Sequence, residues 1–249
     1  MTLLDCLAIV LGCCVGGFVS GVAGFAFGMV AMVSWVWRID PQIIAPMVVF
    51  GSIVTQSTSV TCLHCGVNWR LTTQFLVGGL AGVPLGIMLL GCIDVVVFKG
   101  AMGVVIILFS LALLFVSDNL AVRWGGGAAN GCAGFVGGVM GGLCGLNGPA
   151  PIVWCLVRGW DKDTQRGLTQ VYFLSTQVVT MIGYALSGKI TRQVLIAFAI
   201  MLPCVLLAAY VGNRVYDRID TRQFRRIVLA LLLISGAVLL VSSLAAHRF

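Results

Sequence analysis

Few side chains within the apolar runs of this sequence could do chemistry, and none of them is charged. Asp5, Asp94, Asp118, Asp161, Asp163, Asp217 and Asp220 fall near the ends of runs or in the links between them. A proton relay on a buried carboxylate, or a cation site with acidic ligands, has nothing to be built from there. What the runs do hold is hydroxyls, amides and glycine: Thr55 with Gln56, Thr176 with Gln177, and the stretch Gly137–Pro151, GGVMGGLCGLNGPAP. Such neutral groups suit an anion held by backbone N–H groups at a helix N-terminus, where the dipole is positive. Asn147-Gly148-Pro149-Ala150-Pro151 reads as the start of such a helix, because proline in the first turn gives up a donor that has no partner anyway. Asn147 then either caps that helix or donates to a ligand.

Two other constellations have simpler readings. Cys62-Leu63-His64-Cys65 is a C-x-x-C pair that could bind a metal or exchange thiols. It has no second pair, and the ten cysteines lie mostly inside apolar runs, where cysteine serves as a small apolar residue. His64 and His247 are the only histidines and no G-x-S-x-G turn is present, so a serine hydrolase has no machinery. No enzyme and no cofactor is expected.

The elements that position these residues follow from composition. Of 249 residues, 60% are hydrophobic and 9% charged, against roughly 25% charged in a soluble domain. The chain is expected to be an all-α polytopic membrane protein, lying in a lipid bilayer. Its net charge of +7 comes from short links between runs and marks topology rather than nucleic-acid binding. The first run, Leu7 to Trp37, is too long for one span of about 20 residues, which places a break near Gly24 to Gly28. Spans are expected near 43–63, 72–92 and 100–116. A second broken element over 125–157 follows, since six glycines and two prolines within Gly137–Pro151 forbid a continuous helix. Further spans are expected near 169–186, 195–212 and 224–244. Trp35, Trp37, Trp69, Trp124 and Trp160 sit at run ends, as an interfacial belt would.

The second half repeats the first. A shift of 121 positions puts Gly16-Gly17, Gly21 and Gly24 on Gly137-Gly138, Gly142 and Gly145, Asp40 on Asp161, and Thr55-Gln56 on Thr176-Gln177. Five more residues of insertion put Gly86 on Gly212 and Ile93-Asp94 on Ile219-Asp220. Two homologous repeats of about four transmembrane segments, 1–120 and 121–249, are the reading, each opening on a segment broken by glycine. The basic residues divide ten to five between the two faces whether the broken elements cross or return, and both termini lie on the non-cytoplasmic side either way. Matching of the loops favours crossing, eight spans in all. G-x-x-x-G faces leave open packing within the chain and pairing into a homodimer.

The motif GGLCGLNGPAPIVWCLVRGWDKDTQRG, with its echo GGFVSGVAGF in the first half, resembles the TauE/SafE family of sulfite exporters and related anion permeases. The resemblance covers nearly the whole chain in length, duplication and loop pattern. It implies a transporter of small organosulfur or other small anions (sulfite, sulfoacetate, other sulfonates) in the plasma or inner membrane, coupled to a proton or sodium gradient. The substrate site is then expected where the two broken elements meet. Gly24 and Gly28 approach from one side, and Gly142, Gly145, Asn147 and Gly148 from the other, with Thr55, Gln56, Thr176 and Gln177 flanking. Alternating access is expected from one repeat rocking against the other, and Gly145→Val is expected to abolish transport with expression intact. A passive anion channel, and a thiol or metal protein using Cys62 and Cys65, are the alternatives.

Overall fold

In an apolar surrounding a backbone must satisfy its own N–H and C=O groups, so the runs rich in Leu, Val, Ala and Ile become helices. The computed structural model describes residues 3–23, 25–36, 38–60, 67–92, 101, 104–105, 107–109, 111, 125–160 and 162–216. Among the described residues the chain forms no strand and eight helices that can be followed end to end. These are α1 (Leu3–Ala23), α2 (Phe27–Trp35), α3 (Pro41–Val60), α4 (Trp69–Leu90), α5 (Gly126–Cys144), α6 (Pro149–Val157), α7 (Lys162–Leu186) and α8 (Arg192–Tyr216). The expected span at 100–116 is described in part, and that at 224–244 lies outside the described residues, as do Gly24, Cys62 and Cys65. Leu4–Val22, Trp69–Leu90 and Arg192–Arg214 are each long and apolar enough to cross a membrane. On α1, Leu4, Leu7, Leu11, Val15 and Phe18 are exposed, a stripe at helical spacing that presents an apolar face outward.

The chain between α1 and α2, and between α5 and α6, turns back instead of running on. Trp35 Nε1 donates to the Ala8 carbonyl (3.1 Å). Gly12 lies against Trp35, and Gly16 against Phe27 and Ala31, with no room for a Cβ at Gly12. The nine-residue α2 therefore lies antiparallel along α1. In the second half Trp154 Nε1 donates to Asn130 Oδ1 (2.7 Å), and Gly137 lies against Asn147 and Pro151, so α6 returns along α5. The expectation that each broken element is a single crossing is thereby corrected. Glycines facing the return segment let two backbones approach closely, and a tryptophan N–H fastens each hairpin near its open end. Trp35 is also corrected as a belt residue: it is fully buried in its hairpin, while Trp69 is exposed.

Two seams of small residues join the halves crosswise. Gly17 packs on Ala208 and Val205, and Gly21 on Ala209 and Asn213, so α1 and α8 run parallel. Gly78, Gly82 and Gly86 of α4 pack successively on Gly131, Phe135 and Val139 of α5, again parallel. These two pairs make the most extensive helix contacts among the described residues. The glycine α-carbons touch facing backbone directly: a methyl group at Gly21 would strike the Ala209 carbonyl, and one at Gly142 the Val83 carbonyl. Likewise Gly212 meets the Phe18 carbonyl and Gly86 the Val139 carbonyl. The turn after α7 closes with Gly188 at φ 66° and Lys189 N–H returning to the Tyr184 carbonyl (2.9 Å), a left-handed helix stop. That turn lies beside Gly91 at the end of α4 and starts α8. The α1–α8 pair consequently runs opposite to the α4–α5 pair.

Candidate functional site

The site forms where the two hairpin tips meet between α3 and α7. α1 ends at Ala23 and α2 begins at Phe27, with Ala26 left-handed at φ 77°. α5 ends at Cys144, Gly145 is left-handed at φ 76°, and α6 begins at Pro149. Glycine at 145 is needed twice over, because a side chain there is strained by the backbone and would run into Val48. The tips enclose a small cavity lined by Ser20, Phe25, Ala26, Phe27, Gly28, Met29, Ser52, Gln56, Gly145, Leu146, Asn147, Gly148, Phe173 and Gln177. Its volume is about 20 Å³, which by size holds one water molecule.

Of the ten residues singled out from sequence, six line the cavity: Gly28, Gln56, Gly145, Asn147, Gly148 and Gln177. Gly24 lies outside the described residues. Gly28 is inside α2 rather than in the break, packed on Val48 and Leu146. Gly142 stands away from the cavity, in the seam with α4. Thr55 and Thr176 stand behind the wall and orient it. Thr55 Oγ1 accepts from Ser20 Oγ (3.1 Å) and donates to the Ser52 carbonyl (3.1 Å).

Asn147 neither caps α6 nor points a free N–H at the cavity. The cap position is Gly148, with no side-chain cap bond. Asn147 Nδ2 donates to the Phe173 carbonyl (3.2 Å) and to Thr176 Oγ1 (2.6 Å), both on α7. Its Oδ1 accepts from Gln177 Nε2 (3.1 Å). A carbonyl can only accept, so the Phe173 bond fixes which end of the Asn147 amide faces α7. That in turn fixes Gln177 with its nitrogen toward Asn147. Gln56 is 4% and Gln177 3% exposed, and the Oε1 of each is buried with no hydrogen-bond partner. Sequence reasoning missed Ser20, Ser52, Phe25, Ala26, Phe27, Met29, Leu146 and Phe173. The only sequence signal for any of them is a spacing: Ser52 and Phe173 are 121 positions apart, as are Gln56 and Gln177.

No lining side chain is charged or nucleophilically activated, so the arrangement can hold a small polar guest but offers no acid–base or covalent chemistry. Among the described residues no three His, Cys, Asp or Glu side chains come together for a metal. The model of one family, described as sulfite exporter TauE/SafE, matches residues 8–239. The chain belongs to that family. A relative from Cupriavidus necator, the probable sulfite/organosulfonate exporter TauE, is 26% identical over 241 residues, covering 93% of this chain and 92% of its own. No solved structure matches with significance. Membership of the TauE/SafE family makes the chain a multi-pass membrane transporter and points away from an enzyme.

Proposed function

We infer that this TauE/SafE protein exports a small sulfur oxyanion, sulfite or an organosulfonate such as sulfoacetate, through one site where its two hairpin tips meet. The observation that carries this is the pairing of two buried glutamines, Gln56 and Gln177, on one uncharged cavity lined by both tips. The relative's name supports the substrate class. Two homologous repeats, 1–120 and 121–249, underlie the arrangement. Supporting that, the seam contacts Gly21–Ala209 and Phe18–Gly212 recur as Gly142–Val83 and Val139–Gly86. Opposed directions of the two seams support repeats of inverted topology, as in many secondary transporters.

Alternating access then moves two mixed bodies rather than one repeat against the other. α1, α2, α3 and α8 pack together, and so do α4, α5, α6 and α7, with α3 touching α5 and α7 between them. A shift along the α3 surface parts the tips and opens the cavity to one side at a time. The ten-to-five division of basic residues along the sequence supports an inner or plasma membrane location with the richer set in the cytoplasm and both termini outside. A proton or sodium gradient supplies the drive. The test is flux in proteoliposomes with labelled sulfite, sulfoacetate and an acetate control, with and without an imposed pH gradient. Saturable sulfite or sulfoacetate flux that accumulates against its own gradient supports the proposal. Flux that only equilibrates makes the protein a passive channel, and no flux of either sulfur anion overturns the reading.

A further inference from the structure

Beyond the cavity, α7 carries another bare polar group. Gln170 is 3% exposed, and its Nε2 is buried with no hydrogen-bond partner. A dry donor of this kind costs about 1–3 kcal/mol, a cost that leucine, of similar bulk, would avoid. Its position gives the donor a use. Positions 170, 173 and 177 share one face of α7 by helical spacing, and Phe173 and Gln177 on that face line the cavity. Gln170 therefore extends the lining toward the start of α7. It stands seven residues before Gln177, about 10 Å along the axis at about 1.5 Å per residue, which is farther than one sulfite or sulfonate group reaches. Phe173 comes between the two, with its ring against Gly148 at the head of α6.

The end toward which this face leads carries a fixed positive charge. α6 ends at Val157, Arg158 follows it, and α7 begins at Lys162. The Arg158 guanidinium lies 5.9 Å from the centre of the Trp154 ring and 5.6 Å from that of Trp160. Aromatic faces attract a cation, and Trp154 is itself held, through Asn130 Oδ1 (2.7 Å) and from Asn130 Nδ2 to Gln74 Oε1 (2.7 Å). A cation kept in place there raises the local concentration of anions. Along the axis of α7 the order is then Arg158, Gln170, Phe173 and the cavity. We propose that Gln170 forms an oxyanion subsite on the access route between the Arg158 end and the cavity. Its Nε2 donates to a sulfite or sulfonate oxygen on the outer side of Phe173, before the anion moves on to Gln56 and Gln177. A neutral donor holds an anion weakly enough to pass it on, as stepwise passage requires. It asks only for an accepting oxygen, so sulfite and sulfoacetate both fit. This rests on the cavity being the transport site.

The test uses the whole chain in proteoliposomes with labelled sulfite and sulfoacetate. Gln170→Leu keeps the bulk and removes the donor. Its melting temperature is expected to hold or rise, since the bare amide is gone. Its half-saturation for the anions is expected to rise by about tenfold, the worth of one hydrogen bond to a charged group, with little change in maximal flux. Gln170→Cys gives a second reading that does not depend on flux. The new thiol is expected to react with 2-sulfonatoethyl methanethiosulfonate faster than the native thiols of the wild type do, and excess sulfoacetate is expected to slow that reaction. Unchanged half-saturation in Gln170→Leu for both anions, or a thiol that sulfoacetate does not protect, overturns the subsite while leaving the transport function standing. Absence of flux for both anions in the wild type overturns the transport function and this proposal with it.

Discussion

Replacing Asn147 with alanine distinguishes a residue that locks the wall from one that binds the guest. The change removes three hydrogen bonds at once, to the Phe173 carbonyl (3.2 Å), to Thr176 Oγ1 (2.6 Å) and from Gln177 Nε2 (3.1 Å). A side-chain hydrogen bond between membrane helices is worth roughly 0.6 kcal/mol on average and reaches about 1.5 in general, which puts the direct loss of three at about 1.8–4.5 kcal/mol. The value should lie toward the upper end, because Gln177, 3% exposed, is left with its whole amide buried and unpaired. Thr176 loses less, since its hydroxyl still donates to the Tyr172 carbonyl (2.7 Å). Gln177→Leu supplies the second edge of a double-mutant cycle. In the wild-type background it breaks the relay. In the Asn147→Ala background it removes the stranded amide, and should restore about 1–2 kcal/mol. Equilibrium unfolding in mixed detergent micelles reads all four variants. Asn147→Ala within about 0.5 kcal/mol of wild type, the usual scatter of surface changes, or equal costs for Gln177→Leu in both backgrounds, would refute the lock.

Gln56→Ala and Gln177→Ala should each weaken substrate binding by roughly 10- to 100-fold, the worth of a hydrogen bond to a charged group; unchanged half-saturation in both would reduce them to packing residues. The two left-handed positions should respond with opposite signs. Gly145→Ala costs about 1–2 kcal/mol from backbone strain plus the collision with Val48, whereas Ala26→Gly relieves strain at φ 77° and should raise the melting temperature; a fall on Ala26→Gly would contradict that conformation. By the same reasoning Gly145→Val should reduce folded yield as well as transport, which revises the expectation of intact expression; normal yield would reject the collision. Gly21→Ala and Gly142→Ala meet matching carbonyls and should destabilise alike, by about 1–3 kcal/mol each, and a several-fold disparity would argue against equivalent seams.

Much of this arrangement was legible because glycine and proline announce themselves. The interruption between Cys144 and Pro149 followed from six glycines and two prolines in an apolar run, and Gln56 and Gln177 drew notice by their spacing of 121 positions. The direction of the hairpins was not legible. Crossing and returning elements give the same ten-to-five division of basic residues, and nothing local says that Trp35 will reach back to Ala8. The role of Asn147 was hidden for a related reason. An asparagine before a proline-led helix has the sequence of a cap, and only α7, 26 to 30 residues away in sequence, draws its amide elsewhere. Phe173 and Ser52 line the cavity by position in a register, not by a chemistry that marks them as ligands.

The crosswise seams have a consequence for how the chain is made. α1 leaves the ribosome first, yet the helix that covers its glycines begins at Arg192, roughly 170 residues later. At about 5–20 residues per second that is a wait of about 10–30 s. α5 has no such delay, because α4 is already in place when it emerges. During the wait α1 exposes a face with bare backbone, shaped to fit an α8. In a crowded membrane a neighbouring copy can supply that α8 first, and exchanging identical helices in this way yields a swapped pair. Prompt delivery of α8 during synthesis therefore bears on whether one chain closes on itself.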